Sequence, residues 1–476
     1  MVLYFGALIF ISYLTSRNSD TDSFFTGNRQ SPWYLVAFGM IGTSISGITF
    51  ISVPGQVGSI GMSYFQVVLG YMIGYFVIGT VLMPLYYRLN LVSIYSYLEQ
   101  RFGYWTYKTG SLLFLVSRTI GSSLRLYLAA NVLQIFLFDS LNVPFVVTVG
   151  ITILLIWVYT FRGGVKTIIW TDSFQTLFLI SSLIICVLII INRLNLSFSH
   201  LYDLVSHNPY GKMFRFEDAN NKIFFPKQLI GGAFLAITMT GLDQDLMQKN
   251  LTCKNLGEAK KNLLWFSVTA LFVNFLFLLL GTLLYQYSSI NNIPLPSKPD
   301  SLFPLLALNE FGLLTGIFFL LGITASSYAS ADSALTALTT SFCIDFLNFE
   351  NKTDAQKTKQ KFNVHVGFSV LFFAIIIIFS WFNNSSLVGV VLTAAGYTYG
   401  PLLALFSFGL FHKNRMIKDK LVPFVCVLCP VLVWFLDANS QLLLNGYQFG
   451  YELVLINGII TYLGLWLIIK KESLII

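Results

Sequence analysis

Two arginines, two aspartates and a run of hydroxyl side chains stand in stretches that are otherwise apolar. Arg118 and Arg125 lie within 109–137, seven residues apart and so on one face of a helix. A guanidinium keeps its charge and matches a carboxylate through two parallel hydrogen bonds. Arg125 falls near the middle of its stretch with Tyr127 close by, and is a candidate for grasping a substrate carboxylate. The competing reading is a structural ion pair with Asp172, Asp243 or Asp332. Asp332 sits in the run Thr324–Thr336, with Ser326, Ser330 and Ser333 near one helical face or its shoulder. A carboxylate inside lipid is costly unless it is paired or faces water. Oxygen ligands without thiolate or imidazole suit a hard monovalent cation; an interhelical hydrogen-bond cluster is the alternative. Asp172, with Gln175 one turn on, reads either as a helix-start residue or as part of an ion path's inner mouth.

The surroundings of these residues are set by composition. The chain has 476 residues, 55% hydrophobic and 11% charged, against roughly 25% charged in soluble domains. With a mean hydropathy of +0.72 and 45 Phe, it reads as an all-α polytopic membrane protein whose main partner is the lipid bilayer. The net charge of +8 does not point to nucleic acid, because Lys and Arg occupy short loops between apolar runs. The five cysteines form no framework, and Cys426 and Cys429, beside Pro430 in an apolar run, read as structural. No signal peptide is expected. His200, His207, His365 and His412 fall in loops or at span edges, and no GxxxxGK[ST] loop occurs. Neither an enzyme nor an ATP-driven pump is expected. A membrane protein that senses a solute without moving it is the least favoured alternative; an appended kinase would mark it, and none is expected here.

About 20 residues of helix cross a bilayer. Apolar runs near that length fall at 33–53, 64–89, 109–137, 142–160, 168–191, 228–246 and 263–286, then at 312–340, 364–381, 387–411, 421–436 and 450–468. With a short run at 1–14, the expectation is about thirteen spans. Basic residues support the alternation. Of 29 Lys and Arg, only Arg193, Lys212, Arg215, Lys222, Lys227 and Lys298 lie in one set of loops, and only Arg118 and Arg125 in a span. The other set, which includes Arg162, Lys249 and the 343–363 loop, is therefore cytoplasmic, with the N-terminus outside and the C-terminus inside. A short lid or re-entrant helix is expected around Phe303–Leu306.

Two spans carry small and hydroxyl residues where helix continuity is weakest. One runs through Gly42, Thr43, Ser44, Ile45, Ser46 and Gly47 towards Pro54 and Gln56; the other through Gly231, Gly232, Thr238, Thr240, Gly241 and Asp243. Taken singly, each glycine reads as close helix packing. Five helices apart, the pair fits the broken helices of inverted repeats, whose freed carbonyls line a midplane site.

The chain also resembles the sodium/solute symporter family, which includes sodium/galactose, sodium/proline and sodium/sialic acid transporters. The resemblance rests on Phe24–Arg29 with Pro32-Trp33, Thr43–Ser46, Tyr97–Gly103, Arg162–Lys166, Trp170-Thr171-Asp172 with Gln175, Asp243-Gln244 with Gln248-Lys249, and the Ser-rich run ending at Ile344-Asp345. It implies a leucine-transporter-like fold: inverted five-helix repeats at 33–191 and 228–411, a first helix and loop at 1–32, an external segment at 192–227, and two further helices in 412–476. It implies uptake of a small organic solute driven by Na+. The ion would be held by the carbonyls of Gly42, Ile45 and Ser326 and the hydroxyl of Ser330, with Asp332 or Ser333 compensating for Ala329, where the family has a further hydroxyl. Asp172 would ease sodium release. Substrate would meet Thr43, Ser44, Ser46, Gln56, Thr238, Thr240 and Arg125 or Arg118. An arginine in this helix leans the reading towards a sugar acid such as sialic acid; a neutral sugar or amino acid, or proton coupling, are the alternatives. A monomer is expected.

Overall fold

A computed structural model describes residues 2–17, 21–160, 164–347, 349, 352–382 and 387–470. Arg162 and Gly163 lie outside the described residues. An apolar chain in lipid has to satisfy its backbone internally, and this one does so with helices. Besides short helices at Thr21–Thr26, Ser96–Arg101, Phe198–His207 and Ser440–Leu443, they are in chain order α1 (Val2–Ser16), α2 (Trp33–Ser44), α3 (Gly47–Ile60), α4 (Phe65–Val77, prolonged through a wider turn to Arg88), α5 (Tyr104–Leu133) and α6 (Phe145–Thr160). There follow α7 (Gly164–Arg193), α8 (Phe225–Ala236), α9 (Gln244–Asn250), α10 (Leu256–Ile290), α11 (Leu302–Asn309) and α12 (Leu313–Leu347). The last four are α13 (Asp354–Phe382), α14 (Leu387–Phe411), α15 (Val422–Ala438) and α16 (Leu453–Leu467).

Among the described residues, 8 helical stretches are long and apolar enough to cross a membrane, and four apolar helices are shorter. The expected count of about thirteen is not reproduced by length alone. One reason is that the 42-residue stretch Gly47–Arg88 counts once, although Gly61 at φ 63° turns the chain between α3 and α4. α11 occupies the expected short segment, and its Phe303 packs against Phe50 and Phe319.

α7 and α12 share the most extensive helix contact, which places Asp172 and Asp332 in one interface. α4 and α8 cross almost as closely. There a Cβ on Gly232 would lie 2.2 Å from the Val67 carbonyl oxygen, and one on Gly70 would lie 2.2 Å from that of Leu229. Only glycine permits backbones to meet so closely, as small residues do in membrane interfaces generally. This crossing holds the broken α8–α9 unit against the first half of the chain.

Candidate functional site

The first break lies at Ile45-Ser46, between α2 and α3. Ile45 leaves the helix at φ −87°, ψ 82°, and Ser46 is extended at φ −73°, ψ 170°. Helix ends leave carbonyls without intrahelical partners, here inside an apolar span. Gly47 opens α3 directly beneath α12: a Cβ there would sit 2.0 Å from the Ser327 hydroxyl. That hydroxyl is buried and has no hydrogen-bond partner among the described residues. The second break follows a wide turn at Ile237–Gly241 and lies at Leu242-Asp243, with Asp243 extended at φ −109°, ψ 123°. It is thus two residues beyond the expected Thr238–Thr240.

A cavity opens between the breaks. Its wall includes Thr43, Ser44, Ile45, Ser46, Thr49, Thr240 and Asn274, three tyrosines (Tyr64, Tyr71 and Tyr75) and both Arg118 and Arg125. Thr238 is buried and turns its hydroxyl back to the Phe234 and Leu235 carbonyls. Gln56 lies in a separate cavity beside Ser59, Ser63 and Lys222, and Tyr64 borders both. Tyr127 faces Phe145 and Phe379 instead.

The two arginines differ in their partners. Arg118 donates to Asp245 and lies 3.8 Å from Asp243. Asp245 also accepts the Ser333 hydroxyl, and Asp243 accepts that of Tyr399. Arg125 makes no ion pair among the described residues; its guanidinium reaches the Ser330 hydroxyl at 3.4 Å. Of the serines assigned to the ion from sequence, Ser330 therefore stands beside Arg125 and Ser333 beside Asp245. Ser326 bonds the Ile323 carbonyl at 3.0 Å.

Below the first break, Asp172 accepts from the Thr43 hydroxyl at 2.9 Å and from the Lys249 ammonium, which also reaches Thr43. All three are buried. Lys249 is not a loop cation, as its position in a basic segment implied, but the partner of Asp172. Removing one member of such a buried pair costs about 3–5 kcal/mol, because the other is left charged and alone. Gly42 donates its N–H to Thr176 at 3.0 Å, which pins α2 to α7 beside this pair. Asp332, fully buried, has neither carboxylate oxygen hydrogen-bonded among the described residues. Tyr159, Asp172 and Lys249 are its polar neighbours.

Comparison with known proteins decides the family. Residues 24–418 match the Sodium:solute symporter family. The chain belongs to that family. It is 25% identical to the sodium/sialic acid symporter NanT of Aliivibrio fischeri, over 97% of this chain and 91% of that one. It is 23% identical to the sodium/sialic acid symporter SiaT of Proteus mirabilis, over 96% and 93%. It is also 28% identical to the sodium-coupled monocarboxylate transporter 1 of Mus musculus, over 96% and 72%. Among solved structures, a Na+-coupled sialic acid symporter in a substrate-bound outward-open state superposes with a TM-score of 0.84 at 20% identity, covering 98% of this chain and 97% of that one. The nucleobase-cation symporter MHP1 gives 0.56 at 14%, covering 92% of each.

The symporter thus has the leucine-transporter-like fold, is a multi-pass membrane protein, and couples solute movement to Na+ rather than catalysing a reaction. Sequence reasoning brought Thr43, Ser44, Ser46, Thr240, Arg118 and Arg125 to one cavity wall. It missed Lys249, Asp245 and Ser327. Asp245 carried a legible signal, since an acid at the end of an apolar span needs a partner. Ser327 carried a weaker one: it and Ser326 are adjacent hydroxyls one turn before Ala329-Ser330.

Proposed function

We propose that this symporter imports a small organic monoanion, a sugar acid of the sialic acid type being the first candidate, with its carboxylate on Arg125. One observation carries the reading: Arg125 lines the central cavity with no carboxylate partner among the described residues, whereas Arg118 in the same wall has two. A half-buried guanidinium inside an apolar span with no acid in ion-pair contact is unfavourable, and an anionic solute removes that penalty. Thr49, Asn274 and the tyrosine wall offer hydroxyl, amide and ring contacts to a sugar. Relatives named for sialic acid and monocarboxylates agree in charge type.

Sodium would bind at the first break, on the carbonyls of Gly42 and Ile45, the Ser326 carbonyl and the Ser327 hydroxyl. The unpartnered Ser327 oxygen above Gly47 supports that register, leaving Ser330 to position Arg125. Asp172, held by Lys249 and Thr43, would lie on the ion's release path, with Asp332 behind it. Repeats at 33–191 and 228–411 would exchange inner and outer access. The N-terminus would lie outside and the C-terminus in the cytoplasm of a bacterial inner membrane, with the monomer as the working unit.

The test is uptake into proteoliposomes of sialic acid, glucuronate, galactose and proline, with and without an inward sodium gradient. The expected result is sodium-driven uptake of an acidic solute, abolished by Arg125→Ala. Uptake of galactose or proline alone would overturn the anion reading.

A further inference from the structure

Both arginines of the cavity wall face the same space, yet only Arg125 has no acid against it; Arg118 keeps just its Nε without a hydrogen-bond partner among the described residues. Arg118 gives one guanidinium nitrogen to Asp245 and turns a second towards Asp243 at 3.8 Å. Asp243 has other commitments: one oxygen takes the Tyr399 hydroxyl, and the other accepts the Asp245 N–H at 2.9 Å at the start of α9. Asp245 is the acid in direct contact, and its other oxygen is fixed by Ser333 of α12. Arg118, Asp243, Asp245 and Ser333 are all buried. A second substrate carboxylate could take the Arg118 fork only by displacing Asp245, which would then stand buried and unpaired.

We infer that Asp245, anchored by Ser333, is a specificity-determining residue: it withholds Arg118 and so limits the cavity to solutes with one carboxylate. The inference rests on the reading of Arg125 as the substrate's anchor. It makes Asp245 a positioning residue that acts through Arg118 without touching the solute. Specificity here comes from an occupied site as much as from an open one. With Asp245 neutral, two guanidinium groups seven residues apart on one helix would present a two-point site for a dianion.

Matched pairs that share a carbon skeleton test this: glucuronate with glucarate, and butyrate with succinate. Sodium-dependent thermal stabilisation of the purified, full-length symporter is measured for each, in the wild type, Arg125→Ala, Asp245→Asn, Ser333→Ala and Asp245→Asn combined with Arg118→Gln. The wild type is expected to respond to at least one monoanion and to neither dianion. In Asp245→Asn the apparent affinity for the matching dianion, relative to its monoanion, rises at least tenfold. Ser333→Ala, which keeps every charge and loosens only the anchor, moves the ratio the same way by a smaller factor. Adding Arg118→Gln abolishes the gain. A wild type that accepts dianions overturns the inference. So do Asp245→Asn and Ser333→Ala proteins that bind the monoanion and remain indifferent to the dianion. A wild type that responds to no monoanion, or an Arg125→Ala variant that responds as the wild type does, defeats the Arg125 reading instead.

Discussion

At the residue scale, function turns on which buried charge is answered and which is not. Arg118 and Arg125 were indistinguishable as letters, since both are cations on one face of an apolar helix. Only the fold sets Asp243 and Asp245 against the first and a lone Ser330 hydroxyl against the second. The serines divide in the same way. Ser327 stands over Gly47 at the helix break and Ser330 on the arginine side, so their alanine variants are expected to fail differently. Ser327→Ala should raise the sodium concentration for half-maximal uptake about tenfold, roughly 1.4 kcal/mol, with little change in KM for the solute at saturating sodium. Ser330→Ala should raise KM and leave the sodium dependence nearly intact. Sodium titrations of uptake at fixed solute, and the converse, separate the two; an inverted pattern would return the ion to Ser330. The sequence showed the hydroxyl run but not its register, because a rotation of about 100° per residue changes the facing helix.

At the element scale, the two breaks were legible because glycine and hydroxyl residues interrupt long apolar runs, and that signal is local. The first fell at Ile45-Ser46 as the small residues implied. The second slipped from Thr238–Thr240 to Leu242-Asp243, since a wide turn absorbs the earlier residues and lets Asp243 cap the short α9. Lys249 was misplaced for a related reason. A lysine beyond an apolar run reads as a loop cation, and nothing local says that the chain turns back to bury α9 under Asp172. The α4–α8 crossing makes its own prediction. Gly232→Ala places a methyl 2.2 Å from a backbone oxygen, which no rotamer change relieves, so the helices must separate. Overpacking of this kind costs about 1–3 kcal/mol. The variant should melt several degrees below the wild type in detergent and lose transport, whereas Gly121→Ala, with nothing within 4 Å, should do neither. Equal melting temperatures for the two would show that the crossing is looser than it stands here.

At the scale of the whole molecule, composition and loop charge were enough to place the chain in a bilayer, while the buried ionic contacts that tie its two halves together were invisible. Those contacts gather on the side of the Lys-rich loops: Arg118 with Asp245 joins α5 to α9, and Lys249 with Asp172 joins α9 to α7. Each links the broken second unit to the first half of the chain, so under the proposed exchange of access, opening on that side would separate them. Sodium can drive the exchange only through unequal affinity for the two states, and it should hold this side shut. Cys253 is a native reporter. It is fully buried, its carbonyl accepts from Tyr87 at 3.0 Å, and the strand-like pairing of Ser31 with Cys253 seals it against the segment that precedes α2. In a protein with Cys186, Cys343, Cys426 and Cys429 replaced by alanine, maleimide labelling of Cys253 should be several-fold slower in sodium than in a potassium medium of equal ionic strength. Lys249→Met should label faster in both media, because it removes one of the two ionic contacts, and sodium should still slow it. Labelling that ignores sodium in both proteins would mean that the ion does not bias this side of the molecule.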